Sequence, residues 1–288
     1  MTLKKSSLYR TRQKKTIPST RPSILEGKFR LTTSQEQFLQ ADDGDIDKRL
    51  LFSTTENLLH LCAAETIYCD GTFYTAPPMF DQIFTIHAFV GDVMFPLVFS
   101  LLPKRDTATY NRFFTLHRIL PADTTSTFLP QELAATYTFP TAELQGCLFH
   151  YAKAIWRKTQ ECGLQTDYKD VPDVTKLVRR EACLPLLPLN KVEDFWLYTL
   201  ENAPPRDDCI KLTDYVTETW IEGPFSQPTW NHYQTEGSRT NNHLEGWHNK
   251  LKKRVGVAHP TIYKMSDEFK KEQAANEVKI EQYSDGGR

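Results

Sequence analysis

"TIYCDGTFYTAPPMFDQIFTIHAFVGDVMFPLVFSLLP", residues 66–103, decides how this chain is read. Its segments TIYCDGTF, QIFTIHAFV and MFPLVFSLLP are rich in Ile, Val, Phe and Tyr, and the turn-like pieces TAPPMFD and GD separate them. Such a pattern predicts three neighbouring antiparallel strands in a meander. Asp70 ends the apolar run of the first strand and precedes Gly71. Asp-Gly is by itself a turn signal, because an Asp side chain readily bonds nearby backbone. A carboxylate at the mouth of a buried strand is equally suited to hold a metal ion or take a proton.

Working outward, "LLFSTTENLLHLCAAE" predicts a helix capped by Thr54 or Thr55. "DTATYNRFFTLHRIL" has helical spacing at Tyr110, Phe113, Phe114 and His117, opened by Asp106 or Thr107. "AELQGCLFH" is expected as a short strand leading into the helix "YAKAIWRKTQECGL", with Ile155 and Trp156 on its apolar face. Residues 164–236 read as mostly helical with proline-bearing breaks. "TNNHLEGWHNKLKKRV" is an amphipathic helix with Leu244, Trp247, His248, Leu251 and Val255 on one stripe, and Asn241, Glu245, Asn249 and Lys252 on the next. Three strands, a helix, a short strand and a helix predict an α/β fold: a ribonuclease H-like mixed sheet with flanking helices. That arrangement brings the first strand's Asp70 toward Glu245 of the closing helix.

The chain has 288 residues, 40% hydrophobic and 25% charged, enough for one large domain or two small ones. Lys and Arg total 35 against 36 acidic residues, so net charge names no partner. The distribution says more. Residues 1–30 hold Lys4, Lys5, Arg10, Arg12, Lys14, Lys15, Arg21, Lys28 and Arg30 against the single acid Glu26. Residues 1–45 are therefore expected to form a basic, largely irregular arm: a solvated tail, a phosphate-binding segment or a nuclear address. No apolar run approaches the ~20 residues of a membrane span, so no membrane partner is expected. Six cysteines without paired spacing suit reduced thiols inside the cell.

The blocks "DGTFYTAPPMFDQIFTIHAFVGDVMFPLVFSLLPKRDTATYNRFF", "FPTAELQGCLFHYAKAIWRKTQECGL" and "RTNNHLEGWHNKLKKRVGVAHPTIY" resemble, in order and spacing, the Mutator-like element (MULE) transposase domain. The resemblance runs from about residue 45 to 283, and the domain is taken as 46–288. It implies a ribonuclease H-like core with a helical insertion before the last catalytic helix, here about 151–236. It also implies an Asp, Asp, Glu triad holding Mg²⁺ or Mn²⁺, DNA as partner and substrate (transposon terminal repeats), a nuclear location and room for oligomers. Asp70 matches the first Asp, and Glu245 matches the Glu of the Asn-Asn-x-x-Glu pattern at Asn241–Glu245.

The second Asp has no clear counterpart. Between Leu120-Pro121 and Phe139-Pro140 the chain reads "ADTTSTFLPQELAATYT", and alignment puts Thr127 or Pro130 at the catalytic position. Asp123 is the one aspartate in this segment and is a weak candidate for the missing carboxylate; Glu132 is weaker still. Two unit charges ~4 Å apart interact by ~4 kcal/mol at an effective dielectric of ~20, which is orders of magnitude in rate. A weakened or inactive transposase is expected, with a non-catalytic DNA-binding or protein-interaction module as the alternative.

Other readings stay open for individual residues. Glu245 lies three after Asn242, as in a capping box. His248 suits packing beside Trp247. Cys147 and His150 form the Cys-x-x-His pair that relatives carry, yet zinc normally takes four ligands, and a buried thiol with a satisfied imidazole reads as well. Lys250, Lys252, Lys253 and Arg254 suit DNA phosphates, or a solvated helix face.

Overall fold

A computed structural model describes residues 25–43, 47–117, 125–127, 145–223, 225–236 and 239–284. Most of the basic arm, together with Asp123, Pro130 and Glu132, lies outside the described residues, and of Thr127 only the backbone is described.

The chain is mixed α/β. Its strands are β1 (Leu39–Asp42), β2 (Leu50–Phe52), β3 (Thr66–Thr72), β4 (Gln82–Val90), β5 (Val93–Leu102) and β6 (Thr125–Thr127). Their order in the sheet is β1-β2-β5-β4-β3-β6. The pairs β1–β2, β2–β5 and β4–β5 are antiparallel, while β6 runs parallel to β3 with Thr66 opposite Thr125. The helices of nine residues or more are α1 (Thr55–Ala63), α2 (Thr107–His117), α3 (Leu148–Glu161), α4 (Pro172–Cys183), α5 (Val192–Glu201), α6 (Asp207–Val216), α7 (Asn242–Val255) and α8 (Ile262–Ser284).

Contacts divide the chain into two compact units. One comprises Met1–Ala64, Asp70–Leu120 and Gly246–Arg288; the other comprises Glu65–Cys69 and Pro121–Glu245. The boundary thus cuts β3 just before Asp70 and α7 just after Glu245.

In the first unit, β4 is buried along both faces from Gln82 to Ala88. Phe84 meets Tyr110, Phe113 and Phe114 of α2. On the other face Ile83 joins a core built around Phe38, Phe52, Phe99, Trp247 and Phe269. Phe99 stacks on Phe269 at 5.0 Å and packs 5.7 Å from Trp247, which seats α7 and α8 on this face. Asn57 of α1 donates to Gln273 of α8 at 2.7 Å, so the buried amides there satisfy one another.

One expectation needs correction here. Residues 25–43 are folded: Leu25, Phe38 and Leu39 are buried, and Leu39–Asp42 is the edge strand β1. The helix expected with Thr54 or Thr55 as cap begins after Thr54, whose side chain accepts from Asn57 N, and the preceding Leu50–Phe52 pairs with Phe99–Leu101 as β2.

The second unit is largely helical. Its core gathers Tyr151 and Ile155 from α3, Leu177 from α4, Trp196 from α5 and Leu212 from α6. Tyr151 packs between Trp220 and Trp230, with ring centroids 4.7 and 5.6 Å away. Each helix buries a stripe at three- and four-residue spacing, such as Val174, Leu177, Val178 and Glu181 of α4. The strand expected at 142–150 lies outside the described residues at 142–144 and is corrected over 145–150. Leu148–His150 begin α3, because Gly146 N bonds Thr229 O and Leu148 N bonds Arg239 O rather than a neighbouring strand. All six cysteines are free thiols, and no helix among the described residues is long and apolar enough to cross a membrane.

Candidate functional site

Asp70 stands near the end of β3, just before the 73–80 loop, in which Phe73 and Tyr74 are exposed while Thr75, Ala76 and Phe80 are buried. Its Oδ1 accepts from Gly71 N at 2.8 Å, the local bond that an Asp-Gly pair favours. Gly71 is required for space: a Cβ there would lie 2.4 Å from Gln82 Oε1. Gln82 cannot easily give way, since its Nε2 donates to Tyr110 Oη at 2.6 Å and to Lys104 O at 3.1 Å.

The other carboxylate oxygen faces helix α7. Asp70 Oδ2 lies 3.5 Å from His248 Nδ1, with both side chains largely shielded from water. His248 Nε2 is 3.4 Å from Thr85 Oγ1, and Thr85 Oγ1 is 3.0 Å from His87 Nε2. Thr85 Oγ1 also lies 3.4 Å from the Asp70 carbonyl oxygen. The hydroxyl has one proton to give, to that carbonyl or to His248. When it goes to His248, every hydrogen is used once: His87 donates to Thr85, Thr85 to His248, and His248 to Asp70. Burial, and after it the neighbouring His248, hold His87 well below the usual histidine value, so His87 is neutral near pH 7. The long contacts next to Asp70 make this a positioning chain more than a set of strong bonds.

Thr85 and His87 were not singled out from the sequence. The signal was there: in QIFTIHAFV the two polar residues fall at alternate positions with Ile83, so one face of an otherwise apolar strand is polar toward α7. His248 was expected to pack beside Trp247; it does, with rings 5.5 Å apart, and it also reaches the strand-end acid.

Glu245 precedes His248 by one turn of α7. It is half-buried, and its backbone N bonds Asn241 O at 3.1 Å. Glu245 is the one acidic residue in the first turn of α7. The start of α7 is fixed from the other unit's own residues: Cys147 Sγ donates to Asn241 Oδ1 at 3.2 Å, and the Asn241 carbonyl accepts from Leu244 N and Glu245 N. A thiol that donates is protonated, which suits the buried-thiol reading of Cys147. His150 lies in the first turn of α3, half-buried, its ring 5.7 Å from that of Phe149.

The basic stretch of α7 is divided in its roles. Lys250 and Arg254 pair with the buried carboxylate of Glu272 on α8, and Arg254 also reaches Glu268 at 3.4 Å. These pairs, with a bond from Trp247 Nε1, lower the Glu272 value against the burial that would raise it. Lys252 instead lies over the Tyr74 ring, 4.4 Å from its centre, and Lys253 is exposed.

A divalent cation needs a convergent set of oxygen ligands. Among the described residues no group of three His, Cys, Asp or Glu side chains could hold a metal ion. Both oxygens of Asp70 are already faced by donors. What the described side chains do is hold one carboxylate near a strand end in a fixed direction.

No family model, curated protein or solved structure matches the chain.

Proposed function

We propose that this chain is a DDE-type transposase of the MULE kind with a ribonuclease H-like fold, whose DNA strand cleavage is weakened or lost. The observation that carries the reading is the joining of Asp70 to α7: the acid ending β3 is held by His248 on the very helix that bears Glu245. The sheet supports it as well, since a meander of β3, β4 and β5 is followed by a strand parallel to β3. Asp70 and Glu245 are the proposed catalytic carboxylates, Mg²⁺ or Mn²⁺ the cation they call for, terminal-repeat DNA the substrate and the nucleus the compartment.

Impairment follows from the third ligand. β6 is Thr125-Ser126-Thr127, and none of the three is an acid. The second reading, a descendant that binds DNA without cutting it, is favoured by the His248 contact that already occupies Asp70.

The test is strand cleavage of terminal-repeat DNA in Mg²⁺ or Mn²⁺ by the unmodified chain, Asp70→Asn and Thr127→Asp. Little or no cleavage by the unmodified chain, with a gain in Thr127→Asp that Asp70→Asn removes, is the expected outcome. Vigorous cleavage by the unmodified chain that Asp70→Asn abolishes would overturn the impairment. Cleavage that Asp70→Asn leaves untouched would overturn the role of Asp70.

A further inference from the structure

We infer that Phe73 and Tyr74 form a stacking platform for the unpaired bases of single-stranded DNA, with Arg105 and Lys252 drawing in its phosphates. Both aromatic residues sit in the loop directly after Asp70-Gly71-Thr72, and they are 47% and 48% exposed. Consecutive large rings left this open are unusual in a chain that buries Phe84, Phe99, Phe113 and Phe269 almost completely. Each ring carries a cation: the Arg105 guanidinium lies 4.7 Å from the centre of Phe73, and Lys252 Nζ lies 4.4 Å from the centre of Tyr74.

Among the described residues no carboxylate pairs with either cation. Lys250 and Arg254, from the same turns of α7 as Lys252, are taken up by Glu272, and Lys104, beside Arg105, is taken up by Asp47. Arg105 and Lys252 form no ion pair among the described residues. Both cations lie over exposed rings, and the two rings are consecutive in the chain. An exposed ring with a cation held over it joins an aromatic surface to a positive charge, as a nucleobase is joined to a phosphate, and single-strand binders combine these two features.

The platform is also fixed in place. The Tyr74 carbonyl accepts from His259 N at 3.2 Å, Phe73 O accepts from Ala76 N at 3.1 Å, and His259 Nδ1 lies 3.0 Å from Ala76 O. These bonds tie the loop to the segment joining α7 and α8, so little ordering is left to be done on binding. Duplex DNA keeps its bases stacked on one another and offers rings only at its ends, which makes a single strand the fitting partner. The inference extends the transposase reading by naming the form of DNA held beside Asp70, yet it can be tested apart from cleavage.

The experiment is fluorescence anisotropy of a labelled oligodeoxythymidylate of about 16 nucleotides, with EDTA present so that no strand is cut. The unmodified chain is expected to bind it. Phe73→Ala and Tyr74→Ala are each expected to weaken binding about tenfold, while Phe73→Tyr and Tyr74→Phe keep it. Lys252→Gln and Arg105→Gln are expected to flatten the dependence of affinity on salt. All four positions of change carry exposed side chains, and coincident thermal melts confirm that the variants are folded. No binding by the unmodified chain, or binding that survives loss of both rings, would overturn the platform. Equal competition by duplex DNA or by polyglutamate would overturn it too, reducing the surface to charge alone. Because no metal is involved, a platform that binds can coexist with a chain that fails to cut, and the reverse.

Discussion

Asp70 and Glu181 are two acids treated in opposite ways by the same chain. Asp70, at the end of β3, lies among donors: Gly71 N on one oxygen and His248 on the other, with Thr85 and His87 behind. Glu181, on the buried stripe of α4, is fully inaccessible, and neither carboxylate oxygen has a hydrogen-bond partner among the described residues. Tyr151 donates to the Glu181 main-chain carbonyl and not to the carboxyl group. Burial pushes Glu181 up to about 8. One acid is oriented by donors on both oxygens; the other is held without a donor inside an apolar core, where burial favours its neutral form. The lesson is that burial alone does not mark a site, and that the disposition of donors does.

The largest effect separating the two acids is a pH dependence. The folded chain binds the Glu181 proton more tightly than the unfolded chain, in which the group titrates near 4.5. Its contribution is therefore full below about pH 4.5 and drains away as pH rises to about 8. At ~1.4 kcal/mol per pH unit, this single group accounts for about 4 kcal/mol of unfolding free energy across that window. Denaturant unfolding of the unmodified chain and Glu181→Gln across that range measures it: the difference between them should shift in favour of Glu181→Gln as pH rises. A constant difference would mean that Glu181 is charged in the fold, and the contrast with Asp70 would collapse.

A smaller effect belongs to the strand end. Gly71→Ala drives a methyl group into Gln82, whose amide is held by Tyr110 and Lys104. Overpacking of this kind costs about 1–3 kcal/mol, and here it also displaces the residue beside Asp70. A chemical melt of Gly71→Ala measures the loss. A cost near zero would mean that Gln82 swings aside and that the Asp-Gly turn has slack.

The sequence made the centre of the fold legible and its margins less so. β3, β4 and β5 announce themselves by length, apolar composition and turn residues, and α7 by its stripe of Leu244, Trp247, His248, Leu251 and Val255, all buried. β1 and β2 are four and three residues long and become strands only because β5 offers an edge to pair with. β6, three small polar residues, carries no pattern at all; its parallel pairing with β3 defines it. Asp70 could be picked out because Asp-Gly interrupts an apolar run. His248 looked like a packing residue, and it is one; its second role depends on β4 presenting Thr85 and His87 to the same spot, which spacing along α7 could not reveal. The basic run at 250–254 was legible as charge, while the carboxylates that consume half of it lie on α8, about twenty residues later in the chain.

The central claim is that the end of β3 and helix α7 act as one polar unit through Asp70 and His248. A double-mutant cycle tests it most directly: unfolding free energies of the unmodified chain, Asp70→Ala, His248→Ala and the double variant. Residues in contact couple by about 0.5–3 kcal/mol, and the long Asp70–His248 distance of 3.5 Å points to the lower part of that range. A coupling of about 1 kcal/mol is the predicted result. Additivity within about 0.3 kcal/mol would contradict the account, leaving the strand-end acid and the helix as neighbours with nothing to say to each other.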